Sequence, residues 1–313
     1  MKNILRRCLL GAVLAAGLAA MNYLAPLQPG PLFFDLALAA MLVGLISVLF
    51  PLRFLDIRSR WAGLCILIGG IAVAALALGW PPSVHTVDRR CVLDDFLPSY
   101  TSREFHSQLV HAPPTRVYRA IRETTLGDVK LFVTLMQLRM GRFRKVNVPP
   151  GPILDLMSRP GSPFLLLSDD GCCEIVLGIA GRFWGGGSAR FPTAAAFNAY
   201  HEPGAAKSAF NFRVEDLGQG WSRVSTETRV IGNDPVATRT MTRYWRIIYP
   251  GSAAIRRMWL NAIKARAELP TPEPPSPPRP GAAVPLPHLP PEISAPLPSP
   301  AASHPDAPAS APA

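Results

Sequence analysis

Three apolar runs fill residues 8–24, 31–50 and 61–80 of this 313-residue chain. Each is close to the ~20 residues needed to cross a hydrocarbon core. In that core every backbone N–H and C=O must be satisfied within the protein, so isolated runs of this kind can span only as helices. The second run is broken by one charge, Asp35, and the third has none and is bounded by Trp61 and Trp80. Tryptophan at both ends suits the headgroup layers. The pattern predicts a membrane domain over 1–82 with three transmembrane helices. A cleaved signal peptide is the alternative for the first run, because "GLAAM" puts small residues near its end. Two further spans follow at once without a polar mature start, which favours retention. Asp35 lies four residues from Pro31 and reads as interfacial, since a proton relay needs several such groups.

Lysine and arginine in short loops set the orientation of such helices. Lys2, Arg6 and Arg7 precede the first run, residues 25–30 carry no basic residue, and Arg53, Arg58 and Arg60 lie between the second and third. This places the N-terminus and second loop in the cytoplasm, and everything after the third span outside. Arg89 and Arg90 oppose that placement.

The net charge is +11, from 32 Lys+Arg against 21 Asp+Glu. The arginines are scattered, with no long basic run interleaved with aromatics, so nucleic acid is not an expected partner. Of five cysteines, Cys8 and Cys65 lie in apolar runs. Cys91, Cys172 and Cys173 make neither a CxxC pair nor a disulfide framework, and no Cys/His spacing suits zinc. The vicinal pair reads as part of a strand. There is no HExxH, GxSxG or phosphate loop. "GGGS" at 185–188 reads as a hairpin connection. No metal or cofactor is expected.

Residues 95–268 read as one soluble domain, opening with "REFHSQLVHAPPTRVYRAI" at 103–121. Alternation puts Phe105 and Leu109 on one strand face, with Glu104, His106 and Gln108 on the other, exposed one. The prolines then start a helix, and a second helical stretch covers 126–140. Asp169-Asp170-Gly171 marks a hairpin, and a second hairpin follows. There Phe210, Phe212 and Val214 share a face, as do Val224, Thr226 and Thr228, while Glu227 and Arg229 lie opposite. Asp234-Pro235 starts the last helix, in which Met241, Tyr244, Trp245 and Ile248 recur at helical spacing. Pro250-Gly251 is expected to interrupt or kink it. Arg239, Arg243, Arg256, Arg257, Lys264 and Arg266 form its basic side. The order predicts an α+β fold, a curved antiparallel sheet around a long C-terminal helix.

This order, with the blocks "GIAGRFW", "AKSAFNFRVEDLG", "STETRV" and "YWRIIYPGSAAIRRMWLNAIKARAE", resembles the helix-grip fold of the START-like superfamily, in an uncharacterised bacterial membrane-anchored branch. The likeness covers about 100–268. It implies an apolar cavity between sheet and helix, and supplies no universal catalytic residue. The ligand expected is a lipid or other apolar small molecule, with Phe210, Phe212, Thr226, Thr228, Met241, Tyr244 and Trp245 as candidate binding residues. The setting is a bacterial inner membrane, multi-pass, with the soluble domain facing the periplasm or outside. One alternative is a cyclase- or hydrolase-like enzyme using Glu227 as a cavity acid. Another is a scaffold whose cavity is filled by side chains. Residues 269–313, mostly Pro, Ala and Ser, are expected to be disordered. They read as a spacer, or as a protein ligand through "PPSPPRP".

Overall fold

A computed structural model describes residues 29–52, 55–129, 132–140, 150–185 and 187–269. The first apolar run and the Pro/Ala-rich tail lie outside these residues. Among the described residues two helices are long and apolar enough to cross a membrane, Pro31–Leu49 and Arg60–Gly79.

They belong to α1 (Pro29–Leu49) and α2 (Arg60–Gly79), which pack as an antiparallel hairpin. Glycine makes the close approach possible. A Cβ on Gly44 would meet the backbone of Leu67 at 2.5 Å, one on Gly63 would meet Ser47, and one on Gly70 would meet Met41 at 2.8 Å. Small residues at such a seam let backbones touch where lipid offers no hydrophobic drive. The other faces stay apolar and exposed, with Phe33, Leu42, Trp61 and Leu76 each more than half accessible. Gly70→Leu is expected to overpack the seam and cost about 1–3 kcal/mol. Thermal unfolding of the full chain in detergent measures it, against Gly69→Leu, whose Cβ would meet nothing within 4 Å.

The remainder is mixed α+β. In chain order it comprises β1 (His85–Thr86), α3 (Leu93–Phe96), β2 (Ser99–Tyr100), β3 (Ser102–Val110), α4 (Pro114–Glu123), α5 (Phe132–Met140), α6 (Ile153–Ser158), β4 (Leu165–Asp169) and β5 (Glu174–Arg182). Then follow β6 (Gly187–Ser188), α7 (Ala194–Asn198), β7 (Ala206–Gly218), β8 (Trp221–Gly232) and α8 (Pro235–Ala267). Strands β3-β8-β7-β5-β4 form an antiparallel sheet in that order, and β6 adds to β5. Of the "GGGS" segment, read as a hairpin connection, Gly187 and Ser188 form β6 itself, opposite Arg182 and Gly181.

Helix α8 packs against β3 and β8 on one face of the sheet. Asp234 caps it, Oδ1 accepting from the N–H of Val236 and Ala237 at 2.8 and 2.9 Å. Gly232 lets the chain turn back so tightly that a Cβ there would lie 2.2 Å from the Thr238 nitrogen. Of the interruption or kink expected at Pro250, the interruption is absent: the helix runs on through it. Proline removes one backbone donor, while the buried Tyr249, Ala253 and Ile255 hold both sides of it in place.

Each sheet face is covered. Beneath α8, Phe210, Phe212, Val224, Trp259, Leu260 and Ile263 form the main core. On the outer face Val176, Ala180 and Ala209 pack under Leu93, Leu97 and Phe197. This double cover reverses the expected facing of β3. Glu104 and His106 are buried under α8, at 1% and 2% exposure, whereas Phe105 and Leu109 are 40% and 50% exposed. The pairing with β8 sets this, putting Glu104 opposite Thr228 and His106 opposite Thr226. Partners then satisfy the buried pair: His106 Nε2 lies 2.9 Å from Glu104 Oε1, and Ser252 Oγ donates to Glu104 Oε2 at 2.7 Å. Cys172 and Cys173 are also not in a strand; they lie exposed in the β4–β5 turn.

Candidate functional site

The space between sheet and α8 is largely filled by side chains. The rings of Phe212 and Trp259 stand 4.7 Å apart, and the Arg256 guanidinium lies 3.9 Å from the Phe210 ring centre. Arg256, read as part of the basic side of the helix, is therefore turned inward, and burial pushes its guanidinium down to about 10. Toward the other end of the helix Met241, Trp245 and Tyr249 pack on Ala206 and Val230.

An open cleft lies at the free edge of β3. A cleft of about 820 Å³ is bounded by β3, by α8 and by the segment leaving α2. Trp80, Tyr100, Phe105 and Trp245 supply its aromatic walls, and Arg103, His106, Arg246 and Arg257 its basic groups. No Asp or Glu is among the described residues that line it. Pro31 of α1 and Trp80 after α2 both reach it, so the cleft opens where the two apolar helices end.

Thr242, Trp245 and Arg246 share a face of α8 because they are three and four residues apart. Arg246 is 6% exposed, and it donates to the carbonyls of Ala77 and Trp80, the latter at 3.0 Å. Arg243 donates to the carbonyl of Leu78 at 3.2 Å. These are orphan carbonyls of a helix C-terminus, where positive charge is also favoured by the helix dipole. Burial, and then the neighbouring Arg243, push the Arg246 guanidinium below its ordinary range. Beside it, Thr242 Oγ1, Trp245 Nε1 and His106 Nδ1 are buried atoms with no hydrogen-bond partner. Arg246 breaks the apolar stripe of Met241, Trp245 and Tyr249 by one position. That interruption was its signal in the sequence.

Of the expected binding residues, Trp245 lines the cleft. Phe210 and Phe212 are core residues, and Met241 packs beside Trp245. Thr226 donates to the Asn211 carbonyl at 2.6 Å, Thr228 is buried on the same face, and Tyr244 is half-buried on α8.

Glu227 lies on the other face of the sheet and is absent from the cleft lining. Neither of its expected surroundings, a ligand cavity or bulk solvent, describes it. It accepts from Arg103 at 2.8 and 3.0 Å and from Arg229 at 2.7 Å. Arg229 in turn meets Asp94 Oδ1 at 2.6 Å and donates to the Leu97 carbonyl at 2.9 Å. Glu174 accepts from the N–H of Val92 and Leu93, and from Asn211. These groups clamp residues 91–97 over the sheet. Burial alone raises the Glu227 carboxyl, but hydrogen bonds from Arg103 and Arg229 outweigh it and hold it below its ordinary 4.5. Asp94 is held below 3.8 in the same way by the Arg90 N–H and Arg229.

The sign of the pH dependence follows. The unfolded chain binds more protons than the folded one wherever a folded carboxyl is depressed. This stabilisation is therefore complete above about pH 4.5 and is lost as pH falls through the lowered folded values. Thermal unfolding of the full chain is expected to be flat from about pH 7 to 5 and to drop below about pH 4. Arg229→Met is expected to remove part of that slope.

Burial, then Glu174 and Asp94, push the Cys91 thiol up to about 11, which suits a structural rather than a nucleophilic cysteine. At the β4–β5 turn, ligand atoms of Asp170, Cys172 and Cys173 lie within 4.8 Å of one another. Asp170 Oδ1 there already accepts from the N–H of Cys172, Cys173 and Glu174.

No family model and no curated protein matches the chain. Among solved structures, a hypothetical protein from Helicobacter pylori is similar at 10% identity over 58% of this chain and 98% of its own, with a TM-score of 0.27. A protein from Thermus thermophilus is similar at 8% identity over 53% of this chain and 97% of its own, with a TM-score of 0.22. At these values neither likeness bears on the site or its chemistry.

Proposed function

We propose that the chain is a membrane-anchored binding module that takes a lipid, or another small molecule with an apolar part, from the adjacent bilayer. The observation that carries this is the cleft of about 820 Å³ opening at the ends of α1 and α2. A cleft of that size is in the range of small-molecule sites. Trp80, Trp245 and Phe105 give the apolar part of a ligand somewhere to lie. The antiparallel sheet with α8 across it is compatible with a helix-grip reading of START-like kind, with the ligand moved from the filled interior to the edge of β3. The enzyme reading is less favoured, because both Glu227 oxygens are engaged by Arg103 and Arg229 and Glu227 is not among the cleft-lining residues.

The full chain, extracted from membranes in mild detergent, is expected to carry one lipid-sized mass in native mass spectrometry. Thr242→Trp, which fills the cleft, is expected to lose it. Repeated recovery of an empty parent protein contradicts the proposal.

We also propose a bacterial inner membrane, with the soluble domain on the non-cytoplasmic side. The hairpin puts the loop bearing Arg58 and Arg60 at one end and the domain at the other. Basic loops stay in the cytoplasm. A fusion after Glu268 is expected to give active alkaline phosphatase and dark green fluorescent protein, and the reverse pattern places the domain inside.

A further inference from the structure

We infer that the cleft recognises the anionic group of its ligand, a phosphate ester of net negative charge, through Arg246 and the donors of Thr242 and Trp245. The inference rests on reading the cleft as a binding site, and adds the ligand's charge and the groups that select it.

Electrostatics comes first. Arg246 is 6% exposed, yet its hydrogen bonds go to two backbone carbonyls, Ala77 and Trp80. A buried charge without a counter-ion carries a desolvation penalty of several kcal/mol. The carboxylates of the β3–β8 pair are committed elsewhere: Glu104 to His106 and Ser252, Glu227 to Arg103 and Arg229. An anion in the cleft would supply the charge that Arg246 lacks, in a wall without acidic residues.

Unpartnered donors give the second, independent observation. Thr242 Oγ1 and Trp245 Nε1 are buried, at 6% and 5% residue exposure, and neither has a partner. Buried polar groups are nearly always hydrogen-bonded, because leaving one unmade costs its full desolvation. An indole N–H can only donate, so its missing partner is an acceptor. Trp245 and Arg246 lie three and four residues beyond Thr242, so each neighbours Thr242 on the helix surface, and all three line the cleft. His106, whose Nδ1 is also unpartnered, lines the cleft from β3. A phosphate oxygen accepts from guanidinium, hydroxyl and indole alike.

The geometry also accommodates the rest of such a molecule. Trp80 and Pro31 lead from the cleft to the apolar helices, so a headgroup held at Arg246 can leave its chains toward the hydrocarbon. A free phosphate would satisfy the same donors without using those walls.

The test uses the full chain in uncharged maltoside micelles, with isothermal titration of dihexanoyl phosphatidylglycerol, dihexanoyl phosphatidylcholine and inorganic phosphate. The two lipids share a phosphodiester and apolar chains and differ in net charge. Phosphatidylglycerol is expected to bind at least tenfold more tightly than phosphatidylcholine. Thr242→Val and Trp245→Phe are each expected to weaken it about tenfold, the scale of a lost hydrogen bond to a charged group. Thr242→Ser, which keeps the hydroxyl, is expected to bind like the parent. Circular dichroism melting of each variant separates lost binding from lost folding. Equal binding of both lipids, or a preference that both variants leave intact, overturns the inference while the proposed binding module stands. Inorganic phosphate binding as tightly as phosphatidylglycerol supports the anion site and overturns a lipid source. No binding of any of the three overturns both.

Discussion

Arg229→Ala is expected to destabilise the soluble domain by about 3–5 kcal/mol, the range for stripping one partner from a buried ion pair. Arg229 is 4% exposed and has three duties. It pairs with Glu227 at 2.7 Å and Asp94 at 2.6 Å, and it donates to the Leu97 carbonyl. Its removal leaves Asp94 with the Arg90 and Cys91 N–H groups and the Cys91 thiol, and Glu227 with Arg103 alone. Residues 91–97 are then held to the outer sheet face by Glu174 without the arginine. A domain has about 5–15 kcal/mol in total, so the loss is a large share of it. Urea unfolding of the full chain in detergent, followed by near-ultraviolet circular dichroism, measures it. The double variant Arg229→Ala with Glu227→Gln is expected to be less destabilised than the sum of the single variants, because the stranded charge is gone. A loss under about 1 kcal/mol, the value of a surface pair, contradicts the burial of this network.

The second large effect is expected at Trp259. It is 1% exposed, its ring lies tilted 4.7 Å from that of Phe212, and it is near Arg256. Trp259→Ala is expected to cost about 3–5 kcal/mol by loss of buried area and creation of a void. Urea unfolding again measures it, and the outcome bears on function. If Phe212 and Trp259 bordered ligand space rather than each other, truncation would enlarge a pocket and cost far less. A near-neutral result would return the ligand site to the sheet–helix interior.

Much of this was legible in the sequence where local chemistry decides. Asp234 had to accept from the first helical N–H groups, and Pro235 has no N–H to waste. Asp170 and Gly171 offered turn chemistry between two apolar runs. Phe210, Phe212 and Val214 alternate toward the core as read. The facing of β3 was not legible, because alternation says which residues share a face and not which face is covered. Here residues 91–97 close one face and α8 the other, and both covers are remote from β3 in sequence. For the same reason Glu227 could be placed opposite Thr226, yet not seen as buried beneath Asp94 and Leu97. The carbonyls that occupy Arg246 belong to Ala77 and Trp80, more than 160 residues away. The cleft, which depends on that contact, was invisible to any local pattern. At Pro250 the buried neighbours on either side keep the helix from being interrupted.

The central claim is that the cleft at the edge of β3 holds a lipid in the membrane. Photo-cross-linking in intact membranes tests it most directly. Benzoylphenylalanine at Phe105, 40% exposed and on the cleft wall, is compared with the same group at Leu217, 41% exposed in the β7–β8 hairpin. Irradiation of cells fed radiolabelled phosphate is expected to attach labelled lipid at position 105 and not at 217. Equal labelling of both positions, or none at 105 with the chain inserted and folded, would contradict it.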